Sequence, residues 1–148
     1  MTNLEKVIEL ASKIRIAFED LAKRSNRKSN LTGYCIRASI QLHLAAKDLG
    51  ISVSMVPSDF HVYNVYGDKI IDITATQFGK RKKVWIVNFN EANKTSHWQP
   101  RCNYRKEEIA CSSIEELLCS GWWVYKRDIN NDCRFVKKYL KTNEELTI

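Results

Sequence analysis

Cysteine, histidine and aspartate side chains that could form one catalytic site occur in the first half of the chain, at Cys35, His61 and Asp72. A thiolate is a strong nucleophile, an imidazole accepts and returns a proton near neutral pH, and a carboxylate fixes the orientation of the imidazole. These three residue types therefore predict covalent catalysis by a Cys-His-Asp triad, if the fold brings them together.

A β-hairpin is the element expected to bring His61 and Asp72 together. Residues 61–74 are rich in β-branched and aromatic side chains, and Gly67-Asp68 in their middle is typical of a two-residue turn. This turn places Asp72 opposite Tyr63. Because side chains alternate between the two faces of a strand, Asp72 and His61 then lie on one face as diagonal neighbours.

A buried helix is the element expected to present Cys35. Apolar residues recur at helical spacing from Cys35 to Leu49, which is placed on the buried side, and Gly50 ends the pattern. Cys35 opens this helix, where the peptide dipoles and the unpaired N–H groups favour a thiolate. The backbone N–H of Cys35 is a candidate donor to a tetrahedral oxyanion, and the side chain of Asn30 is a candidate second donor.

The whole chain is predicted to form one α+β domain over residues 1–148, with N-terminal helices packed on an antiparallel sheet. Its polar stretch 90–108 is expected to be a long surface loop. The other predicted elements are helices over 3–24, 112–121 and 129–142, and strands over 51–56, 61–66, 69–74, 82–89 and 122–127.

The order of these elements resembles that of the papain-like and transglutaminase-like cysteine enzymes, in which a nucleophilic Cys opens a central helix and later strands carry His and Asp. The resemblance covers about residues 30–80. It is closer still to small bacterial and phage-associated proteins of that superfamily, whose pattern is matched here by Gly33, Cys35, His61, Asp72, Thr74, Ala75, Gln77 and Phe78.

This resemblance implies a papain-like core, a Cys35-His61-Asp72 triad and acyl transfer through a thioester. A cysteine peptidase, a deamidase, a transglutaminase and an acyltransferase all fit it, because one fold serves several reactions. A protein or peptide substrate is expected, and no cofactor or metal. The alternative function is a non-catalytic binding protein on the same fold, which engages a protein or a nucleic acid through its basic surface.

Each candidate residue also has a structural interpretation. Cys35 could be a small core residue, His61 a hydrogen-bonded strand residue and Asp72 a turn residue, although an aspartate inside "IIDIT" calls for a partner. Gln77 and Phe78 are expected to anchor the segment that leaves the hairpin. His43 is expected to be structural.

Two further kinds of site are less favoured by the sequence. A zinc site is disfavoured because its candidate ligands lack a closely spaced pair; they are His97, Cys102, Cys111, Cys119 and Cys133. A nucleic-acid stacking surface is weighed against a core or interface role for Trp98, Tyr104, Trp122, Trp123 and Tyr125.

Composition limits the partners and the compartment. The formal net charge is +7, so the basic stretches 23–28 and 79–83 could attract nucleic acid or an acidic partner, but charge alone does not decide. Five cysteines without a C-x-x-C pair, and no apolar N-terminal leader, predict reduced thiols in a cytoplasmic protein. No apolar run is long enough to span a membrane, so no membrane contact is expected.

Overall fold

The computed structural model describes residues 1–26, 31, 33–58, 61–78, 82–88, 91 and 110–141. Its helices are α1 (Asn3–Arg24), α2 (Cys35–Asp48), α3 (Ile114–Cys119) and α4 (Lys126–Leu140). Its strands are β1 (Ser54–Pro57), β2 (Val62–Tyr66), β3 (Lys69–Asp72) and β4 (Trp85–Asn88), and a 3₁₀ turn (Ala75–Phe78) follows β3. This order confirms the α+β class.

The four strands form one antiparallel sheet in the order β1-β2-β3-β4. Tyr66 pairs with Lys69 and Asn64 pairs with Ile71, as the two-residue turn requires. Gly67 has a φ of +60°, a left-handed conformation that a residue with a Cβ adopts only with strain. The predicted register of the hairpin is therefore confirmed.

The sheet has a buried cluster on each face. Ile71 and Ile73 belong to the main core with α1 and α2, in which α1 contributes Val7, Ala11, Ile14, Ala17 and Phe18 at helical spacing. Tyr63 and Ile70 point to the opposite face and belong to a smaller cluster. Since strand residues alternate, Asp72 shares the face of Tyr63 and Ile70.

Helix α2 lies at the centre of the domain and is tied to the sheet and to α4. The Ser39 hydroxyl donates to the Val62 carbonyl at 3.2 Å, and the Asn64 amide donates to the Ser39 carbonyl at 3.0 Å. On the other side, Arg37 donates two hydrogen bonds to the Asp132 carboxylate, at 2.8 and 2.7 Å. These bonds hold the first turn of α2 against both neighbours.

A buried arginine of α1 supports the segment that follows β3. Arg15 is 3 % exposed, and its Nη1 donates to the Ile73 carbonyl and to the Thr76 hydroxyl, both at 2.8 Å. Its Nε donates to Glu19 at 2.9 Å. The guanidinium thereby fixes the backbone on both sides of Thr74, just beyond Asp72.

Replacement of this guanidinium should destabilise the domain. In Arg15→Met the buried Ile73 carbonyl loses its donor, which typically costs about 1–3 kcal/mol in the free energy of unfolding. Urea denaturation measures this loss, with Lys6→Met on the exposed face of α1 as the matched control. A loss no larger than that of the control would contradict the supporting role of Arg15.

Two details of the predicted elements are wrong. Residues 122–127 form no strand: residues 122–125 lie outside the sheet and α4 already begins at Lys126. Leu49, placed on the buried side of the predicted helix, is the C-cap of α2 and is 55 % exposed. The predicted loop 90–108 lies outside the described residues, apart from Glu91.

A helix that crosses a membrane must be about 20 residues long and predominantly apolar. Among the described residues, no helix meets both requirements.

Candidate active site

His61 and Asp72 form a buried hydrogen-bonded pair. The Nε2 atom of His61 lies 2.6 Å from Oδ2 of Asp72, and their side chains are each 1 % exposed. His61 lies directly before β2 and Asp72 is the last residue of β3, so the hairpin brings the two side chains onto one face. This is the contact that the predicted register required.

Both residues are held in place by neighbouring backbone groups. The Thr74 N–H donates to Oδ1 of Asp72 at 3.0 Å, which leaves Oδ2 for His61. The carbonyl of His61 accepts hydrogen bonds from the N–H and the hydroxyl of Ser58, at 2.7 and 2.9 Å. The ring of Tyr63 stacks beside the imidazole, with the two ring centres 6.0 Å apart. The orientation of the imidazole is therefore fixed by the fold.

Cys35 is the first residue of α2 and is 6 % exposed. The turn before it is tight: the Tyr34 N–H donates to the Leu31 carbonyl at 3.1 Å, and Gly33 has a φ of +89°. The N-cap residue of α2 is Tyr34, whose side chain makes no capping hydrogen bond. The first N–H groups of α2, including that of Cys35, therefore lie where they can bind an anion.

The surroundings of His61 raise its pKa from 6.5 to about 10. Burial is the largest influence and lowers the pKa, but it is outweighed by the charge of Asp72, by the hydrogen bond to Asp72, and by a hydrogen bond and charge from Cys35. At neutral pH His61 therefore carries two ring protons. Nε2–H is donated to Asp72, so Nδ1–H is the one left for the sulfur of Cys35.

Gln77 is a neighbour of the site that the sequence did not assign to it. Its Nε2 atom lies 3.4 Å from Nδ1 of His61 and 3.1 Å from the hydroxyl of Thr74. The sequence predicted only an anchoring role for Gln77. One signal for its place in the site was available, since Gln77 lies only five residues after Asp72. The 3₁₀ turn that folds Gln77 back toward His61, however, follows no periodic pattern in the sequence.

Several of the other predicted site residues lie outside the described part of the chain. Asn30, the candidate second oxyanion donor, lies outside the described residues, as do His97, Trp98, Cys102 and Tyr104. Within the described part of the chain, no three His, Cys, Asp or Glu residues are grouped so that they could hold a metal ion. The basic stretches 23–28 and 79–83 are only partly described.

His43 has the structural role that was expected for it. It is 7 % exposed, and its Nδ1 atom lies 2.8 Å from the Val53 carbonyl. It borders a cavity of about 250 Å³ at the C-terminal end of α2, which is lined by His43, Lys47, Gly50, Ile51, Ser52, Val53 and Ser112. This cavity lies at the opposite end of α2 from Cys35 and does not belong to the Cys-His-Asp cluster.

Comparison with known proteins finds no relative of this chain. The chain matches no protein-family model, no curated protein and no solved structure. The chemistry of the site therefore rests on Cys35, His61, Asp72 and their surroundings.

Proposed function

We propose that this protein is a thiol-dependent acyl-transfer enzyme with a papain-like or transglutaminase-like core. The observation that carries the proposal is the position of His61, whose ring is hydrogen-bonded to Asp72 through Nε2 and interacts with Cys35 at the start of α2. A nucleophile, a base and a group that orients the base thus occur in succession, as covalent catalysis requires.

The reaction begins with the sulfur of Cys35 as a thiolate beside the imidazolium of His61. The sulfur attacks an acyl carbonyl carbon, the C–S bond forms, and the carbonyl electron pair moves onto oxygen. When the C–N or C–O bond to the leaving group breaks, Nδ1–H of His61 protonates that group and a thioester remains. Water or an amine then attacks the thioester, His61 removes its proton, and the thiolate leaves.

The surroundings suit each of these steps. Asp72 is positioned to stabilise the imidazolium and to keep Nδ1 directed toward Cys35, because both carboxylate oxygens are held by hydrogen bonds. The backbone N–H of Cys35, at the N-terminus of α2, is positioned to bind the oxyanion of the tetrahedral intermediate. The substrate is proposed to be a protein or peptide, and the acceptor is water or an amine.

Acyl adducts on Cys35 test this function. Incubation with a panel of glutamine, ester and peptide probes should add an acyl mass to the peptide that contains Cys35, because the thioester accumulates when the acceptor is poor. Mass spectrometry of the intact protein and of its tryptic peptides detects the adduct.

Two variants make this experiment decisive. Cys35→Ser should abolish the adduct, whereas Cys119→Ser, which removes an exposed thiol, should leave it unchanged. Adducts that form equally on Cys119, or a folded protein that none of the probes acylates, would contradict acyl transfer. The second result would favour the non-catalytic binding protein.

A further inference from the structure

The side-chain amide of Gln77 lies on the side of the His61 ring that faces the nucleophile. Asp72 occupies Nε2 of the imidazole, and Gln77 approaches Nδ1 to within 3.4 Å. Nδ1 is also the ring nitrogen available to Cys35. The nitrogen of this amide is therefore close to the place where a carbonyl group must lie when the sulfur attacks it.

The contact between Gln77 and His61 is not a satisfied hydrogen bond in the charged form of the site. An imidazolium carries a proton on Nδ1 and accepts nothing there. One N–H of the Gln77 amide donates to Thr74 at 3.1 Å, and the other is directed to Nδ1 at 3.4 Å. Among the described residues, that second N–H then has no acceptor, and it lies beside the ring nitrogen that is available to Cys35.

We propose that the Gln77 amide is a catalytic residue that donates a hydrogen bond to the oxyanion of the tetrahedral intermediate, together with the backbone N–H of Cys35. This role rests on the proposed acyl transfer. It gives the site the second oxyanion donor for which the sequence offered Asn30.

The position of Gln77 is fixed before any substrate binds, as an oxyanion donor requires. Its own N–H donates to the Thr74 carbonyl at 3.1 Å, and Thr74 is in turn bound to the Asp72 carboxylate at 3.0 Å. Arg15 holds the flanking residues Ile73 and Thr76 from the α1 side. The donor and the carboxylate that orients His61 thus lie on one hydrogen-bonded segment, residues 72–77.

Two small reagents separate oxyanion binding from every other effect of Gln77. With p-nitrophenyl acetate, the thiolate attacks the carbonyl carbon, the electron pair moves onto oxygen, and its return expels p-nitrophenolate to leave S-acetyl Cys35. With iodoacetamide, the thiolate displaces iodide at a saturated carbon and no oxyanion forms. Both reactions consume the same thiolate.

In Gln77→Met, acetylation of Cys35 should slow by about 10²–10³-fold, the usual cost of removing one oxyanion donor. Alkylation by iodoacetamide should change by less than about threefold, because Cys35 and His61 are untouched. Release of p-nitrophenolate and mass spectrometry of the Cys35 peptide measure the two rates, and Cys35→Ser gives the background.

A second variant tests whether the Gln77 amide donates or accepts the hydrogen bond. Gln77→Glu keeps the shape of the side chain, and its carboxylate can accept from the Thr74 hydroxyl where the amide donated to it, but an ionised carboxylate cannot donate. We expect it to lose acetylation at least as severely as Gln77→Met. If Gln77→Glu retained acetylation, the amide would instead accept from His61 and the proposal would be wrong.

The remaining outcomes are also distinct. Equal losses of acetylation and alkylation would show that Gln77 only positions His61, and unchanged rates in both variants would show that it plays no part; either result overturns the proposal. An unmodified wild-type Cys35 in both reactions would contradict the acyl-transfer function itself. Urea denaturation confirms that each variant is folded.

Discussion

Iodoacetamide at about pH 6 should alkylate Cys35 about 10–100 times faster than Cys119, although Cys35 is only 6 % exposed and Cys119 is exposed. At this pH an ordinary thiol, with a pKa of about 8.5, is only about 0.3 % thiolate and reacts slowly. Accessibility alone would make Cys119 the faster of the two. A faster Cys35 therefore reports chemical activation by its surroundings.

The source of the activation is His61. Its pKa is raised to about 10, so the ring next to Cys35 is an imidazolium at about pH 6 and stabilises the thiolate. His61→Ala removes this charge and should slow the labelling of Cys35 to that of an ordinary buried thiol. The labelling of Cys119 and Cys133 should be unchanged, because neither residue contributes to the pKa of His61.

Brief treatment with iodoacetamide, followed by mass spectrometry of tryptic peptides, compares all the thiols within one sample. A Cys35 that stays unmodified until the protein is unfolded would be a core residue, as the alternative interpretation of the sequence holds. Labelling of Cys35 that is fast but insensitive to His61→Ala would assign the activation to the N-terminus of α2 alone.

Two parts of the candidate site could be predicted from the sequence because each rests on a periodic element. A two-residue turn fixes the register of a hairpin, and the register alone decides that His61 and Asp72 share one face. The start of α2 at Cys35 follows from the onset of helical spacing. Local rules were sufficient because one turn sets the register of the hairpin and one helical pattern sets the start of α2.

The wrong strand at 122–127 shows where local rules fail. Trp122 packs beside the cluster that contains Cys35, and Val124 is buried in it. Trp123 and Tyr125 point outward and are 67 % and 59 % exposed. The alternation is present, but it belongs to a segment that packs on the core through its side chains and pairs with no strand among the described residues.

The contacts that support the site could not be predicted either, because local rules do not describe contacts between distant elements. The contacts of Arg15 with Ile73 and of Gln77 with His61 link residues far apart in sequence, through a 3₁₀ turn that has no apolar period. Sequence patterns predict which face a side chain occupies. They do not predict which polar groups meet across a buried junction, because this depends on the packing of all the elements together.

The stability of the domain should fall as the pH rises, because the native protein keeps a proton on His61 that the unfolded chain loses. The folded pKa of about 10 lies above the ordinary value of 6.5. Below about pH 6.5 both states carry the proton and the contribution of His61 is complete. Between the two pKa values the native state binds one more proton than the unfolded state, so the free energy of unfolding decreases with pH.

Cys35→Ser is the best background for this measurement, since it removes the ionisable group beside the ring and the proton on His61 is counted alone. The charge and the hydrogen bond of Asp72 remain in this variant and keep the pKa of His61 raised. From about pH 7 upward the free energy of unfolding should fall by about 1.4 kcal/mol for each pH unit, until the folded pKa is reached.

Urea denaturation at a series of pH values gives this slope. The matched control is His61→Gln in the Cys35→Ser background, which lacks the titrating group and should lose the slope. Asp72→Asn in the same background should also lose most of it, because Asp72 supplies the attraction that raises the pKa of His61.

Both substitutions lower stability at every pH by disrupting a buried pair, so the slope and not the absolute free energy is the readout. A slope that persists in the His61→Gln control would belong to other groups, and His61 would then not be held as an imidazolium by Asp72.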